Sequence, residues 1–153
     1  MGFSIRTFRD GDRRAVEALW ARVFPDDPPR NAPGRMLDNK LKVQPELLLV
    51  GEGASEPSEA RTEAAPVQIV GAVMAGYDGV RGWIYHLAVA PEQRRRGLGA
   101  QLVRAAEERL RALGCPKVNL QVRPSNRGVV AFYRGLGYEV EERVQLGRTL
   151  EPK

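Results

Sequence analysis

Cysteine and histidine are almost missing from this chain of 153 residues. Each occurs once, as Cys115 and His86. A lone cysteine excludes an internal disulfide and any cluster of thiolates around zinc, and with one histidine beside it a metal site has too few ligands. Long apolar runs are also lacking: none approaches the ~20 residues that span a bilayer, so no membrane partner is expected. The first ten residues alternate polar and apolar rather than running basic then apolar, so they do not read as a secretory signal, and the reading points to the cytoplasm. What remains is an ordinary globular composition, 42% apolar and 28% charged, of a length that suits one domain over 1–153. The net charge of +5 permits an acidic partner. The basic residues are scattered along the chain with one dense cluster, and no helix-turn-helix, zinc-finger or RNA-binding-sheet pattern accompanies them. Nucleic acid is therefore disfavoured as a partner.

The cluster is the informative feature. An apolar segment, Trp83 to Val89, stops at Pro91 and is followed by Arg94-Arg95-Arg96-Gly97-Leu98-Gly99-Ala100 and an amphipathic helix. A helix N-terminus already carries roughly +0.5 charge, so three arginines there suit a bound anion and not an empty site. Gly97 and Gly99 leave the backbone bare, and consecutive N–H groups can then close around phosphate oxygens. The spacing reads as a pyrophosphate-binding turn. It is not a Walker loop, because no lysine followed by Ser or Thr comes after the last glycine. It is not the dinucleotide fingerprint either: Leu102 stands where a third glycine is needed, and Lys117-Val118-Asn119-Leu120 offers no acid about 20 residues on.

The remaining pattern falls into alternating strands and helices. Phe3 to Phe8 reads as a strand, and Asp10 and Asp12 can cap a helix bearing Val16, Leu19, Trp20 and Val23, closed by Pro25. A second helix is predicted over 35–43 and a strand over 46–50. The stretch Gly51 to Pro66, rich in Glu, Ala, Ser and Gly, reads as a flexible surface loop. Val67 to Met74 and Arg81 to Val89 form a hairpin about Asp78-Gly79. The helix after the basic turn buries Leu98, Leu102, Ala106, Leu110 and Leu113, with Gly114 and Pro116 ending it. Lys117 to Arg123 alternates as a strand, a helix runs from Ser125 or Asn126 to about Arg134, and one or two strands follow up to Leu150. On this reading the fold class is α/β: a mixed central sheet of six to seven strands with about four helices.

Two blocks together resemble the GCN5-related N-acetyltransferases, the GNAT family. One is Leu87-Ala88-Val89 followed by Arg94, Gly97 and Gly99; the other is Asn126 with Tyr133 seven residues on, which a helix turns to within about 20° of the same side. Within the family, Gly76-Tyr77-Asp78-Gly79 and Gly114-Cys115-Pro116-Lys117 resemble the small YpeA-type bacterial enzymes, and the core motifs the RimI type. The resemblance implies transfer of an acetyl group from acetyl-CoA, as co-substrate, to an amine: a protein N-terminus, a lysine or a small molecule. Leu87, Ala88 and Val89 would hold the pantetheine arm and offer an N–H to the acetyl oxygen. Arg94, Arg95, Arg96, Gly97, Leu98, Gly99 and Ala100 would grip the diphosphate. Asn126 would position the pantetheine, and Tyr133 would be the general acid for the thiolate. In RimI-type enzymes a glutamate proposed as base aligns with Gln121, which cannot serve, leaving His86, Asp78 or a water chain. Alternation puts His86 on the face opposite Tyr85 and Leu87, as a packed core residue. In this family the acceptor pocket is made by the early helices and the last strands, here 26–43 and 140–150, and a homodimer is left open. The competing readings are a coenzyme A-binding module without turnover and, motivated by the arginines, a nucleic-acid-binding domain.

Overall fold

The computed structural model describes residues 2–54 and 67–151. They divide into two compact units, Met1–Gln121 and Val122–Lys153. The first unit is an α/β sheet domain. Its elements run β1 (Ser4–Thr7), α1 (Arg13–Val23), α2 (Pro33–Lys40), β2 (Leu48–Ala54), β3 (Val67–Tyr77), β4 (Gly82–Val89), α3 (Leu98–Ala112) and β5 (Val118–Asn119). The five strands lie in chain order across one sheet. β1 to β4 form an antiparallel meander, and β5 joins β4 in parallel after the crossover through α3, which makes the sheet mixed.

The hairpin forms where Asp78-Gly79 predicts it. Asp78 Oδ1 accepts the N–H groups of Val80 and Arg81 at 2.8 Å each, and Tyr77 pairs with Gly82 to start the ladder. β2 continues through Ala54, so the expected loop over 51–66 loses its first four residues to the strand; its remainder, 55–66, lies outside the described residues.

The two faces of the sheet carry different helices. On one face lies α3, whose Leu98, Leu102, Val103, Ala106 and Leu110 are fully buried, about 1.5–3 kcal/mol for each leucine. Leu113, expected at the end of this stripe, is about half exposed, because the helix has already closed: Gly114 N–H reaches Arg111 O and Cys115 N–H reaches Leu110 O. The sheet admits α3 closely only because it lacks side chains beneath it. A Cβ at Gly51 would come within 2.8 Å of Leu98, and one at Gly71 within 2.9 Å of both Leu98 and Leu102. On the other face lie α1, with Val16, Leu19 and Trp20 buried, and α2, with Leu37 buried. Asp12 does not cap α1 with its side chain. Its carboxylate instead accepts Arg9 N–H and both terminal nitrogens of Arg6, whose Nε reaches Glu52, so β1, β2 and the start of α1 are joined through one guanidinium.

The second unit holds one helix, α4 (Arg127–Gly135), and then a segment without assigned secondary structure to Glu151. The strands expected between Tyr138 and Leu150 do not form, so the described sheet has five strands, not six or seven. Val144 and Leu146 are 89% and 91% exposed. Their alternation satisfies the strand pattern, but a strand also needs a ladder partner, and among the described residues this segment has none. Of Lys117 to Arg123, only Val118 and Asn119 pair.

Candidate active site

The site begins with an irregularity in β4. Ala72 pairs with Ala88 and Met74 with Tyr85, so His86 and Leu87 together face Val73. Two residues against one is a β-bulge, and His86 takes the left-handed conformation (φ +51°) that lets the strand absorb the extra residue. Directly paired residues share a face, so Tyr85 and Ala88 both lie on the side of α1 and α2. The bulge turns His86 to that side as well, which corrects the expectation from strict alternation. Its ring packs edge-on to Trp20 at 5.4 Å and tilted on Phe24 at 4.4 Å, both from the α1 region. Its Nε2 lies 3.0 Å from Asp27 Oδ2. Burial outweighs Asp27 and lowers the imidazole's pKa below its ordinary 6.5, so His86 is neutral at physiological pH.

Beyond the bulge, β4 delivers Leu87, Ala88 and Val89 to the basic turn. β5 pairs only with Gly82 and Trp83, so from Ile84 onward no strand lies on that side of β4 among the described residues. In the turn, Arg95 (φ +66°) and Gly97 (φ +86°) are both left-handed, and Gly97 is the residue that opens α3. This alternation of backbone hand makes a concave row of N–H groups. Arg94, Arg95 and Arg96 are exposed. Arg94 Nε reaches Val89 O at 3.3 Å, and Arg96 donates to Gln93 Oε1 at 2.7 Å and lies 5.5 Å over the Phe3 ring. Glu92, the acid nearest in sequence, is turned to Arg22, which holds both its oxygens at 3.2 and 2.6 Å. Among the described residues no carboxylate neutralises the triplet, and the first turn of α3 holds no acid. The turn therefore presents unmatched positive charge over bare backbone, which fits a diphosphate.

The second unit places the other two expected residues on α4. Asn126 is its N-cap: Oδ1 accepts Val129 N–H at 3.3 Å, leaving the side-chain NH₂ for other partners. Tyr133 is the buried residue of the helix, ringed edge-on by Phe132 at 5.0 Å and Tyr138 at 5.5 Å. Burial pushes its phenol up to about 12. Gln121, in the first unit, is exposed and outside any strand.

A cavity of about 560 Å³ lies on the α2 face, walled by part of the 26–43 stretch expected to form an acceptor pocket and by the β3–β4 hairpin, which sequence reasoning did not include. Trp83 and Tyr85 stack along one wall with ring centroids 6.3 Å apart, and Lys40 and Gly76 lie opposite and below. Asp78 also borders it, but its carboxylate is committed to the turn and held below the usual range by the N–H groups of Arg81 and Val80. It is a poor proton acceptor. His86 does not line this cavity. The alternating aromatics of β4 were the available signal, but a two-residue period by itself does not say which face stays open.

Residues 13–138 match the model of the acetyltransferase (GNAT) family. The chain belongs to that family. It is similar to Acetyltransferase SG1711 of Sodalis glossinidius, 40% identical over 142 residues that cover 93% of this chain and 91% of that protein. It is equally similar to Acetyltransferase ECA0875 of Pectobacterium atrosepticum, 40% identical over 146 residues, 95% and 94% of the two chains. Among solved structures, an aminoglycoside N-acetyltransferase AAC(6')-Iy in complex with CoA superposes with a TM-score of 0.73 over 97% of this chain and 95% of that one, at 19% identity. That likeness is one of fold. No helix among the described residues is long and apolar enough to cross a membrane.

Proposed function

We propose that this acetyltransferase moves an acetyl group from acetyl-CoA to the nitrogen of an amine. The observation that carries the reading is the turn before α3, where three arginines without a carboxylate partner border a left-handed, glycine-opened backbone. Bound acetyl-CoA supplies an activated thioester. The chain's residues do the rest. The N–H groups of Arg95 to Ala100 hold the diphosphate, and Arg94 to Arg96 add charge at its rim. Leu87, Ala88 and Val89 lie where β4 has no further strand beside it, so their backbone can hydrogen-bond the pantetheine arm as a strand would. The bulge at His86 and Leu87 disrupts the ladder, which frees a backbone N–H to steady negative charge on the acetyl oxygen. The family resemblance assigns Asn126 to the pantetheine as well, through the NH₂ that its capping bond leaves over.

Tyr133 is the partner of the departing sulfur. A phenol near 12 is protonated throughout the neutral range, so Oη–H is always available to donate. Against a thiol of reference pKa about 8.5, complete transfer of that proton is uphill. Tyr133 therefore acts chiefly through a donated hydrogen bond that strengthens as charge collects on sulfur. For the amine's own proton, Gln121 offers no base and Asp78 is spent, which leaves neutral His86 or water.

The test is a thermal melt with and without acetyl-CoA, on the native chain and on Gly97→Val. A ligand at 100 times its dissociation constant adds about 2.7 kcal/mol, a shift of several degrees. The native chain should show it. The variant should stay folded, melting a few degrees lower, and lose the shift, because valine is strained at φ +86° although its added Cβ meets nothing beyond the adjoining backbone nearer than 3.9 Å. An equal shift in both would remove the turn from coenzyme binding. No shift in either, with salt-sensitive binding of nucleic acid, would return the arginines to that role.

A further inference from the structure

Lys40 is not placed as the last lysine of a surface helix ordinarily is. β2 begins opposite Met74, so Ala75 to Tyr77 of β3 have no strand on that side. Two side chains complete the edge instead. The Gln44 amide exchanges both hydrogen bonds with the Tyr77 backbone, at 2.8 and 3.1 Å, and Lys40 Nζ donates to Ala75 O at 2.6 Å. This carries the ammonium over the floor of the 560 Å³ cavity, 3.9 Å from where a Cβ of Gly76 would stand. One of its three protons is used by Ala75 and two remain.

The charges around the cavity do not balance. Burial lowers the Lys40 pKa, and Glu46, the one carboxylate that offsets this, acts only at a distance without a hydrogen bond. Asp78 keeps its charge but turns to the hairpin: Oδ1 accepts from Val80 and Arg81, and Oδ2 accepts loosely from Trp83 Nε1 at 3.4 Å. Arg30, exposed, also lines the cavity and has no carboxylate partner among the described residues. The cavity thus pairs aromatic walls, Trp83 and Tyr85, with two cations against one carboxylate, Asp78, that forms an ion pair with neither among the described residues. The excess of cations disfavours a polycationic acceptor, and a half-buried ammonium with no ion-pair partner in contact is costly until one arrives.

We propose that this cavity selects acceptor amines that carry a carboxylate at the far end from the reacting nitrogen, with Lys40 as the anchor and Arg30 reinforcing it. The acceptor class is then an amino acid or a peptide ending in, or bearing, a carboxylate. A single ammonium with two free protons suits that group. The assignment rests on the acetyl-transfer reading above and makes the acceptor specific.

The experiment is thiol release from acetyl-CoA with a graded series of ω-amino acids, glycine to 6-aminohexanoate, each beside its own primary amide, with 1,5-diaminopentane as the cationic comparison. At least one acid should exceed its amide by about tenfold in kcat/KM, the order of one charge-assisted hydrogen bond. Lys40→Met should collapse that acid-to-amide ratio toward one, and Lys40→Arg should keep much of it. The acetyl-CoA melting shift reports that both variants are folded. A ratio that survives Lys40→Met, both activities falling together, would make Lys40 a structural prop for β3 and overturn the assignment. Release with amides or the diamine in preference to every acid would overturn the assignment while leaving acetyl transfer standing. Release with none of the amines, in a protein that still binds acetyl-CoA, would overturn the transfer reading and this inference with it.

Discussion

Tyr133 keeps its phenol in the company of two other rings, and that setting decides what replacing it does. Phenylalanine retains the edge-on packing with Phe132 and Tyr138 and removes only the Oη–H. Tyr133→Phe is expected to leave the melting temperature and acetyl-CoA affinity near native and to lower kcat at least tenfold, in the range that general acids contribute. Steady-state kinetics beside a coenzyme titration checks this. A kcat within twofold of native would take Tyr133 out of the reaction. Because its pKa lies near 12, no loss of activity from Tyr133 ionisation is expected between pH 7 and 9. At this scale the sequence was uneven. The arginine triplet and Gly97 announce themselves because a charge cluster and a bare backbone are local properties. Lys40 does not: one lysine at the end of a short helix looks solvated until the open edge of β3 is seen beneath it.

The relation between helix and sheet is set by what β2 and β3 omit. Leu98, the first residue of α3, rests over Gly51 and Gly71, so the height of the helix above the sheet fixes where the basic turn ends. Gly71→Ala would put a methyl group within 2.9 Å of Leu98 and Leu102 and 3.3 Å of Ala88 O. Leucine tips can yield and a backbone carbonyl cannot, so part of the strain should pass into α3. The expected cost is about 1–3 kcal/mol, the usual range for overpacking, with weaker acetyl-CoA binding and little change in kcat at saturation. Calorimetry and a coenzyme titration read the two effects, and a full loss of kcat with native affinity would contradict this account. Most of the described elements between Phe3 and Arg134 were legible, because Asp78-Gly79, Pro25 and Gly114 punctuate strong local periods, although of Lys117 to Arg123 only Val118 and Asn119 pair. The bulge was not, since Tyr85-His86-Leu87 reads as unbroken strand and only the register with β3 reveals the extra residue. Nor were the missing final strands: Val144 and Leu146 have the pattern, but pairing is a property of the neighbour.

For the molecule as a whole, the response to mild acid, above the carboxylate range, should pass in part through His86. Its folded pKa is lowered, so between 6.5 and that lower value the unfolded chain takes up a proton that the native chain refuses. Stability from this group is complete above 6.5 and is lost as pH falls. Melting temperature should therefore decline from about pH 6.5 downward, more steeply than in His86→Gln, which has no proton to gain; parallel melting curves across pH 5 to 7.5 would refute it. The same imidazole has a mechanical consequence. Asp27 sits three residues before Arg30 on the stretch that leads to α2, and its carboxylate lies 3.0 Å from the ring of the residue that makes the bulge. The approach to the cavity and the strand expected to carry the acetyl arm are thus hinged on one joint. A molecule that displaced this contact from one side would change the affinity of the other, and such a linkage runs equally in both directions.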